Sequence, residues 1–190
     1  YIKFKADQKL SYSTAKKDAD FTPKRVASKL EGSSFELLKK NFSLHIPGAI
    51  NVSNATAAIA TAKILGIEPS VISKKINAYQ GVPGRMNLIH NGQPFTVLID
   101  YAHEESGLQH LMEWAKDSKL KKSKVISLIC GQGGGRDVKK RPIMGEIAAK
   151  YSDSVIVSND DVYDDDPQEI INDIVTGCKR ARPDLKGIYS

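Results

Sequence analysis

The stretch from residue 124 to 142 constrains this chain more than any other. An apolar run over 124–130 leads into Gly131-Gln132-Gly133-Gly134-Gly135-Arg136-Asp137, and a helix is expected to open at Pro142, in the favoured first position. Apolar strand, glycine loop and helix in that order form the repeating unit of parallel α/β sheets. Glycines let a backbone approach a ligand closely and offer N–H groups to an anion. Arg136, Lys139, Lys140 and Arg141 would add cationic partners. The loop is not a P-loop, because the Lys-Ser/Thr pair is missing. Nor is it G-x-G-x-x-G, because the sixth position is Arg136. A flexible glycine loop beside a solvated basic helix start fits the same residues.

The rest of the chain follows from where this unit sits. Residues 84–190 read as strands alternating with helices. Strands are expected at 86–90, 94–99, 124–130 and 154–158, and helices at 105–116, 142 onward and 167–180. Asn91-Gly92 between the first two strands signals a type I′ hairpin. Residues 1–46 read instead as short antiparallel strands at 1–5, 9–13, 25–30, 33–39 and 42–46. Two helices are expected next. The first runs over 51–65, rich in alanine and closed by Gly66 at C′, and the second starts near Pro69. Gly81-Val82-Pro83-Gly84 punctuates the chain and sets the expected boundary, with one domain over 1–83 and another over 84–190. At about 150 residues per domain, 190 residues allow one large or two small domains.

Composition narrows the function classes. Two cysteines cannot build a disulfide framework or a four-ligand zinc site, and the four histidines show no metal-ligand spacing. Aromatics at 7% give little support to base-stacking platforms. No apolar run approaches the roughly 18 residues needed to cross a bilayer, and no signal-peptide core opens the chain. A soluble, cytoplasmic protein is expected, without nucleic-acid or membrane partners. A start at Tyr1 rather than Met suggests a piece of something longer. The net charge of +6 is unevenly spread. Residues 116–141 hold nine basic side chains against two acidic ones, whereas 159–169 hold six acidic and none basic. Adjacent loops of opposite sign suit a zwitterionic ligand, which needs a cation for its carboxylate and an anion for its amine.

In an open parallel sheet, ligands lie beyond the carboxyl ends of the strands. Three loops fall there: 100–103, 131–141 and 159–166. Asp100 can accept from ribose hydroxyls or cap a helix, and His103 can reach a phosphate or cap a helix. Asn51 and Asn54, three apart at a helix start, share a face and could read adenine edges, or serve as a cap and a tolerated polar residue.

Taken together, these signals resemble one family. Gly48, Asn51, Asn54, Ala57 and Ala58 match the G-x-x-N-x-x-N-x-x-A-A helix of the Mur ligases. Gly84-Arg85-Met86 and Asp100-Tyr101-Ala102-His103 are similar to their G-R-M and D-Y-A-H elements. The run from Gly131 to Gly145 resembles the G-x-G-G-x-R-D-x-x-K-R-P-x-M-G segment typical of the MurE-type member. The resemblance spans about residues 19–173. It implies the end of a P-loop-type central ATP-binding domain followed by a Rossmann-like C-terminal ligase domain. It also implies an ATP- and Mg²⁺-dependent amide ligase of peptidoglycan synthesis, adding the third amino acid to UDP-N-acetylmuramoyl-L-Ala-D-Glu through an acyl phosphate. Asn51 and Asn54 would contact adenine. Arg85, Asp100, Tyr101 and His103 would serve the nucleotide, with Arg85 and His103 catalytic, Arg85 near the phosphates and Asp100 near the ribose. Arg136 would hold the incoming carboxylate, with Asp160, Asp161 and Tyr163 beside it.

Two departures from the family pattern stand out. The family's P-loop and Mg²⁺-binding segments are expected upstream of Tyr1, and its G-K-G-H-E segment after Ser190. The chain alone is therefore expected to be inactive. Diaminopimelate-adding members carry D-N-P-R, whereas this chain has Asp160-Asp161-Val162-Tyr163, followed by more acids. A Lys- or ornithine-like substrate is therefore expected rather than diaminopimelate. Folylpolyglutamate-synthase-like and cyanophycin-synthetase-like ligases are the enzymatic alternatives, and a non-catalytic nucleotide- or RNA-binding module is the other.

Overall fold

A computed structural model describes residues 5–16, 18–118 and 122–190. The chain divides into two compact units, Tyr1–Tyr101 and Ala102–Ser190. The hairpin that follows Gly84 falls in the first.

The first unit is built on an antiparallel meander of β1 (Lys24–Lys29), β2 (Gly32–Leu37) and β3 (Lys40–Leu44). Alternation along β2 sends Ser33, Phe35 and Leu37 inward. Phe35 sits directly opposite Phe42, and their rings stack with centroids 5.2 Å apart. Helix α1 (Ala49–Ile64) lays Val52, Ala55, Ile59 and Ala60 into the same core, and α2 (Pro69–Asn77) adds Ile72. Gly66 closes α1 as expected, at φ +83° with its N–H donating to the Lys63 carbonyl.

Two expectations fail here for identifiable reasons. Residues 9–13 form no strand, only an isolated bridge between Tyr12 and Phe21. The Asp20 carboxylate accepts from both the amide and the hydroxyl of Ser11, giving the backbone a local alternative to a ladder. The strand placed at 1–5 lies almost wholly outside the described residues. The type I′ hairpin at Asn91-Gly92 is absent as well. Strands β4 (Asn87–Ile89) and β5 (Val97–Ile99) pair antiparallel across a wide loop, because the Gln93 side chain folds back to donate to the Ile89 carbonyl. The mirror-image turn lies elsewhere. Leu37 pairs with Lys40, and the two intervening residues, Leu38 and Lys39, both have positive φ, 52° and 57°.

The second unit carries α3 (Glu105–Ser118), β6 (Ile126–Gln132), α4 (Lys140–Tyr151), β7 (Ser154–Asp160), α5 (Pro167–Ala181) and the short β8 (Ile188–Tyr189). The three strands form one parallel sheet in the order β6-β7-β8. The expected strand–helix alternation is therefore present. β8 is an addition to it, and β6 runs two residues further into the glycine loop than its apolar run suggested. Helix α4 starts at Lys140, so Pro142 is its third residue rather than its first. Ser127, Ile129 and Gly131 form the buried side of β6. Gly131 leaves no room for a side chain, since a Cβ there would lie 2.4 Å from Ile170 on α5. Two more glycines bring α4 and α5 together. A Cβ on Gly145 would meet the Ile174 carbonyl at 2.1 Å, and one on Gly177 the Pro142 carbonyl at 1.8 Å. The core between sheet and helices gathers Val155, Val157, Met144, Ala148, Ile174 and Cys178. No described helix is long and apolar enough to cross a membrane.

Candidate functional site

The carboxyl ends of β6 and β7 are neighbours, with Gly131 opposite Asn159 and Gln132 opposite Asp160. The glycine loop and the acidic loop must therefore leave the sheet side by side. The Gly133 N–H donates to the Asp161 carbonyl at 3.1 Å. A Cβ on Gly133 would meet the Val162 carbonyl at 2.1 Å, and one on Gly134 would enter the Tyr163 ring at 2.5 Å. The acidic loop meets this close approach with unusual backbone: Asp161 and Tyr163 have φ of 47° and 51°. Two side-chain-bearing residues in the left-handed region within three positions store strain of a kind that clusters at functional sites.

Arg136 lies over this junction. Its guanidinium is 5.1 Å from the Tyr163 ring centroid, donates to the Gly133 carbonyl at 3.0 Å and comes within 4.0 Å of Asp161. The side chain is more than a third exposed. Arg136, Asp161 and Tyr163 thus meet in one place, while Asp160 is exposed at the last position of β7. Two of the remaining acids have structural work. Asp165 receives the Arg141 guanidinium at 2.6 Å, and Asp166 caps α5 by accepting from the Gln168 amide at 2.8 Å.

Beneath the loops lie two buried cations in the first turn of α4. Lys140 donates to the His103 carbonyl at 2.9 Å and to Glu104 at 3.1 Å. Arg141 donates to the Gln132 carbonyl through Nε and Nη2, and to Asp165 and Asp173. Burial works against its charge. The hydrogen bonds to Asp165 and Asp173, and then their negative charges, outweigh that penalty and hold the guanidinium above its ordinary pKa. The sequence reading treated Lys140 and Arg141 as loop cations facing a ligand, and missed them as buried fasteners. Their place on the helix face that carries Met144, Gly145, Ala148 and Ala149 was the available signal.

In the first unit, Arg85, Asp100 and Tyr101 come together. Asp100 accepts from the Met86 amide at 2.7 Å, steadying a left-handed backbone at Met86, φ 45°, just after Gly84. The Arg85 guanidinium stands 5.1 Å over the Tyr101 ring. Asp100 caps no helix. His103 lies in the second unit, its ring half-exposed and 3.6 Å from the Glu104 carboxylate. On α1, half-buried Asn51 donates its amide to the Pro47 carbonyl at 2.7 Å, the reverse of a cap bond, in which the side chain accepts; the cap position is Gly48, and Asn54 is exposed one turn on. Among the described residues no group of three or more His, Cys, Asp or Glu could hold a metal ion.

The second unit is a parallel α/β unit with a glycine loop, a half-buried arginine and an acidic loop at its strand ends. The family follows from comparison. The profile described as Mur ligase, glutamate ligase domain matches residues 84–187, and the chain belongs to the Mur ligase family. Among curated relatives, the UDP-N-acetylmuramoyl-L-alanyl-D-glutamate–2,6-diaminopimelate ligase of Solibacter usitatus is 39% identical over 168 residues, covering 86% of this chain and 33% of that protein. The protein of that name in Syntrophomonas wolfei is 40% identical over 170 residues, covering 87% and 34%. The chain thus spans about a third of the length of these relatives. Two solved structures share its fold. MurF from Acinetobacter baumannii has a TM-score of 0.69 at 19% identity, covering 95% of this chain and 37% of that one. Folylpolyglutamate synthase from Mycobacterium tuberculosis has a TM-score of 0.67 at 21% identity, covering 91% and 39%.

One expectation is corrected by these relatives. They are named for diaminopimelate, which overturns the preference for a Lys- or ornithine-like substrate. The physical reason is visible in the acidic loop. The surplus acids suggested an unmet demand for an amine, but Asp165 and Asp166 are occupied by Arg141 and by the start of α5.

Proposed function

We propose that this chain is part of an ATP-dependent amide ligase of peptidoglycan synthesis that joins diaminopimelate to UDP-N-acetylmuramoyl-L-Ala-D-Glu in the cytoplasm. Residues 1–83 would close the central ATP-binding domain and residues 84–190 form most of the C-terminal domain. The names of the relatives support the substrate, and the Arg136 site supports the chemistry. The acceptor carboxylate attacks the γ-phosphorus of ATP and ADP leaves. The amino acid's amine then attacks the acyl phosphate carbon and inorganic phosphate leaves. Mg²⁺, when bound to such a ligase, neutralises charge on the transferring phosphoryl group. Among the described residues no cluster of His, Cys, Asp or Glu offers it a ligand set.

This chain's own residues would bind and orient. Arg136, held over Tyr163, would bring its guanidinium to a carboxylate of the incoming amino acid. Asp160 and Asp161 give its amine an anionic neighbourhood. Arg85, Asp100, Tyr101 and His103 would contact the nucleotide, and Asn51 with Asn54 the adenine. The test is ligation by the intact protein, with ATP, Mg²⁺ and the UDP-dipeptide, offered diaminopimelate or lysine. Diaminopimelate-dependent ADP release with a product of matching mass is expected. Preference for lysine, or glutamate addition to a folate, would overturn the reading. Residues 1–190 alone are expected to ligate nothing.

A further inference from the structure

Helix α4 begins in a way that local physics disfavours. A helix N-terminus carries partial positive charge and attracts acids, yet this first turn holds no acid and two cations, Lys140 and Arg141. Both are buried, which adds a desolvation cost to the unfavourable dipole. Such a placement persists only where cross-links made by the charges offset it. Arg141 makes them to three separate segments. Its Nε and Nη2 hold the Gln132 carbonyl at 3.1 and 2.9 Å, where β6 gives way to the glycine loop. Nη2 also holds Asp165 in the acidic loop at 2.6 Å, and Nη1 holds Asp173 on α5 at 3.2 Å.

We infer that Arg141 is a positioning residue of the amino-acid site: it fixes the acidic loop against the glycine loop and thereby sets Arg136 over Tyr163. The inference rests on the proposed reading of Arg136 as the carboxylate-binding group. Arg141 itself is 4% exposed and lies under both loops. Its effect passes through the Gly133 N–H bond to the Asp161 carbonyl, which ties the two loop backbones together. A lysine cannot replace it. A single ammonium on a flexible stem cannot grip a carbonyl and two carboxylates in one plane, as a guanidinium fork does.

The experiment compares wild type, Arg141→Lys and Asp165→Asn in the intact protein. For Arg141→Lys, the amino-acid KM should rise about tenfold while the ATP KM stays within about twofold, as loss of a charge-assisted bond behind one subsite requires. Hydrogen exchange at the Gly133 amide should quicken about tenfold, with amides in the middle of β7 unchanged. Should Arg141→Lys not fold, Asp165→Asn cuts the same link from its more exposed side and should raise the amino-acid KM about threefold. An unchanged amino-acid KM in a folded variant overturns the inference. So does a parallel loss in both KM values, kcat and thermal midpoint, which would mark a merely structural residue. If wild type forms no amide, the ligase reading fails, yet Gly133 exchange still decides whether Arg141 sets the loops.

Discussion

Arg136 rests its guanidinium 5.1 Å from the Tyr163 ring while donating to the carbonyl of Gly133, so one loop supplies the cation and its neighbour the face that aims it. The two residues are 27 positions apart, and only the parallel register of β6 with β7 makes them neighbours. Substitutions at the two positions should differ in size. Arg136→Ala removes the carboxylate's partner, and kcat/KM for the amino acid should fall by about ten- to a hundredfold. Tyr163→Ala removes an exposed cation–π contact, typically about 0.5–1 kcal/mol, so the amino-acid KM should rise only about two- to fivefold. Tyr163→Phe keeps the ring and should be near wild type. Steady-state kinetics with the amino acid varied at saturating ATP checks the order, and equal effects of the two alanines would refute it.

The glycine loop predicts a separation of activity from stability. Gly133→Ala would drive a Cβ into the Val162 carbonyl, whereas Gly135, at φ +71°, has open space around it. Gly133→Ala should push the two loops apart and raise the amino-acid KM at least tenfold. Gly135→Ala should cost only the strain of a left-handed alanine, about 1 kcal/mol, with little change in KM. Thermal unfolding paired with kinetics would tell them apart.

Gly177 makes the opposite case, of stability without chemistry. Alanine is the better helix former by about 1 kcal/mol, so propensity alone favours Gly177→Ala within α5. The new Cβ would lie 1.8 Å from the Pro142 carbonyl, backbone that cannot move without separating α4 from α5. Overpacking of this kind costs about 1–3 kcal/mol or more and should win. A net destabilisation is expected in urea unfolding, and a stabilised variant would show that the helices part easily.

The strand–loop–helix alternation of the second unit was legible because β6 and β7 are largely apolar and Pro142 and Pro167 mark the helices that follow them. The juxtaposition of the basic and acidic loops was legible too, because a parallel sheet places both at the same edge. What escaped was decided by contacts remote in sequence or by side chains competing with backbone. Asn91-Gly92 lost its tight turn to the Gln93 amide, and Leu38-Lys39, which carries no turn residue, was forced into one by the pairing of Phe35 with Phe42. Arg141 looked like a surface cation because its partners, Asp165 and Asp173, are 24 and 32 positions away.

That forced turn can be improved. Lys39 is exposed with φ 57°, a backbone that glycine adopts without penalty. Lys39→Gly should stabilise the first unit by about 0.5–1 kcal/mol, the relieved strain exceeding the added freedom of the unfolded chain. Leu38 should be left alone, since it packs against the core. A lower urea midpoint in the glycine variant would contradict the turn assignment.

Cys178 gives the chain an alkaline limit. Its thiol is fully buried between α4 and α5 and points at the Gly145 carbonyl, and burial pushes its pKa from 9.0 to about 11. A folded pKa above the unfolded one means that the folded state holds the proton more tightly. The stabilisation is therefore complete below pH 9 and is lost as pH rises from about 9 to 11, the loss reaching about 2 kcal/mol at the upper end. The decisive comparison is with Cys178→Ala. That variant should be less stable at pH 7, from lost packing, but its stability should fall less steeply across pH 9–11. Parallel stability curves for the two proteins over that interval would mean that the thiol ionises in place without resistance, against everything its surroundings imply.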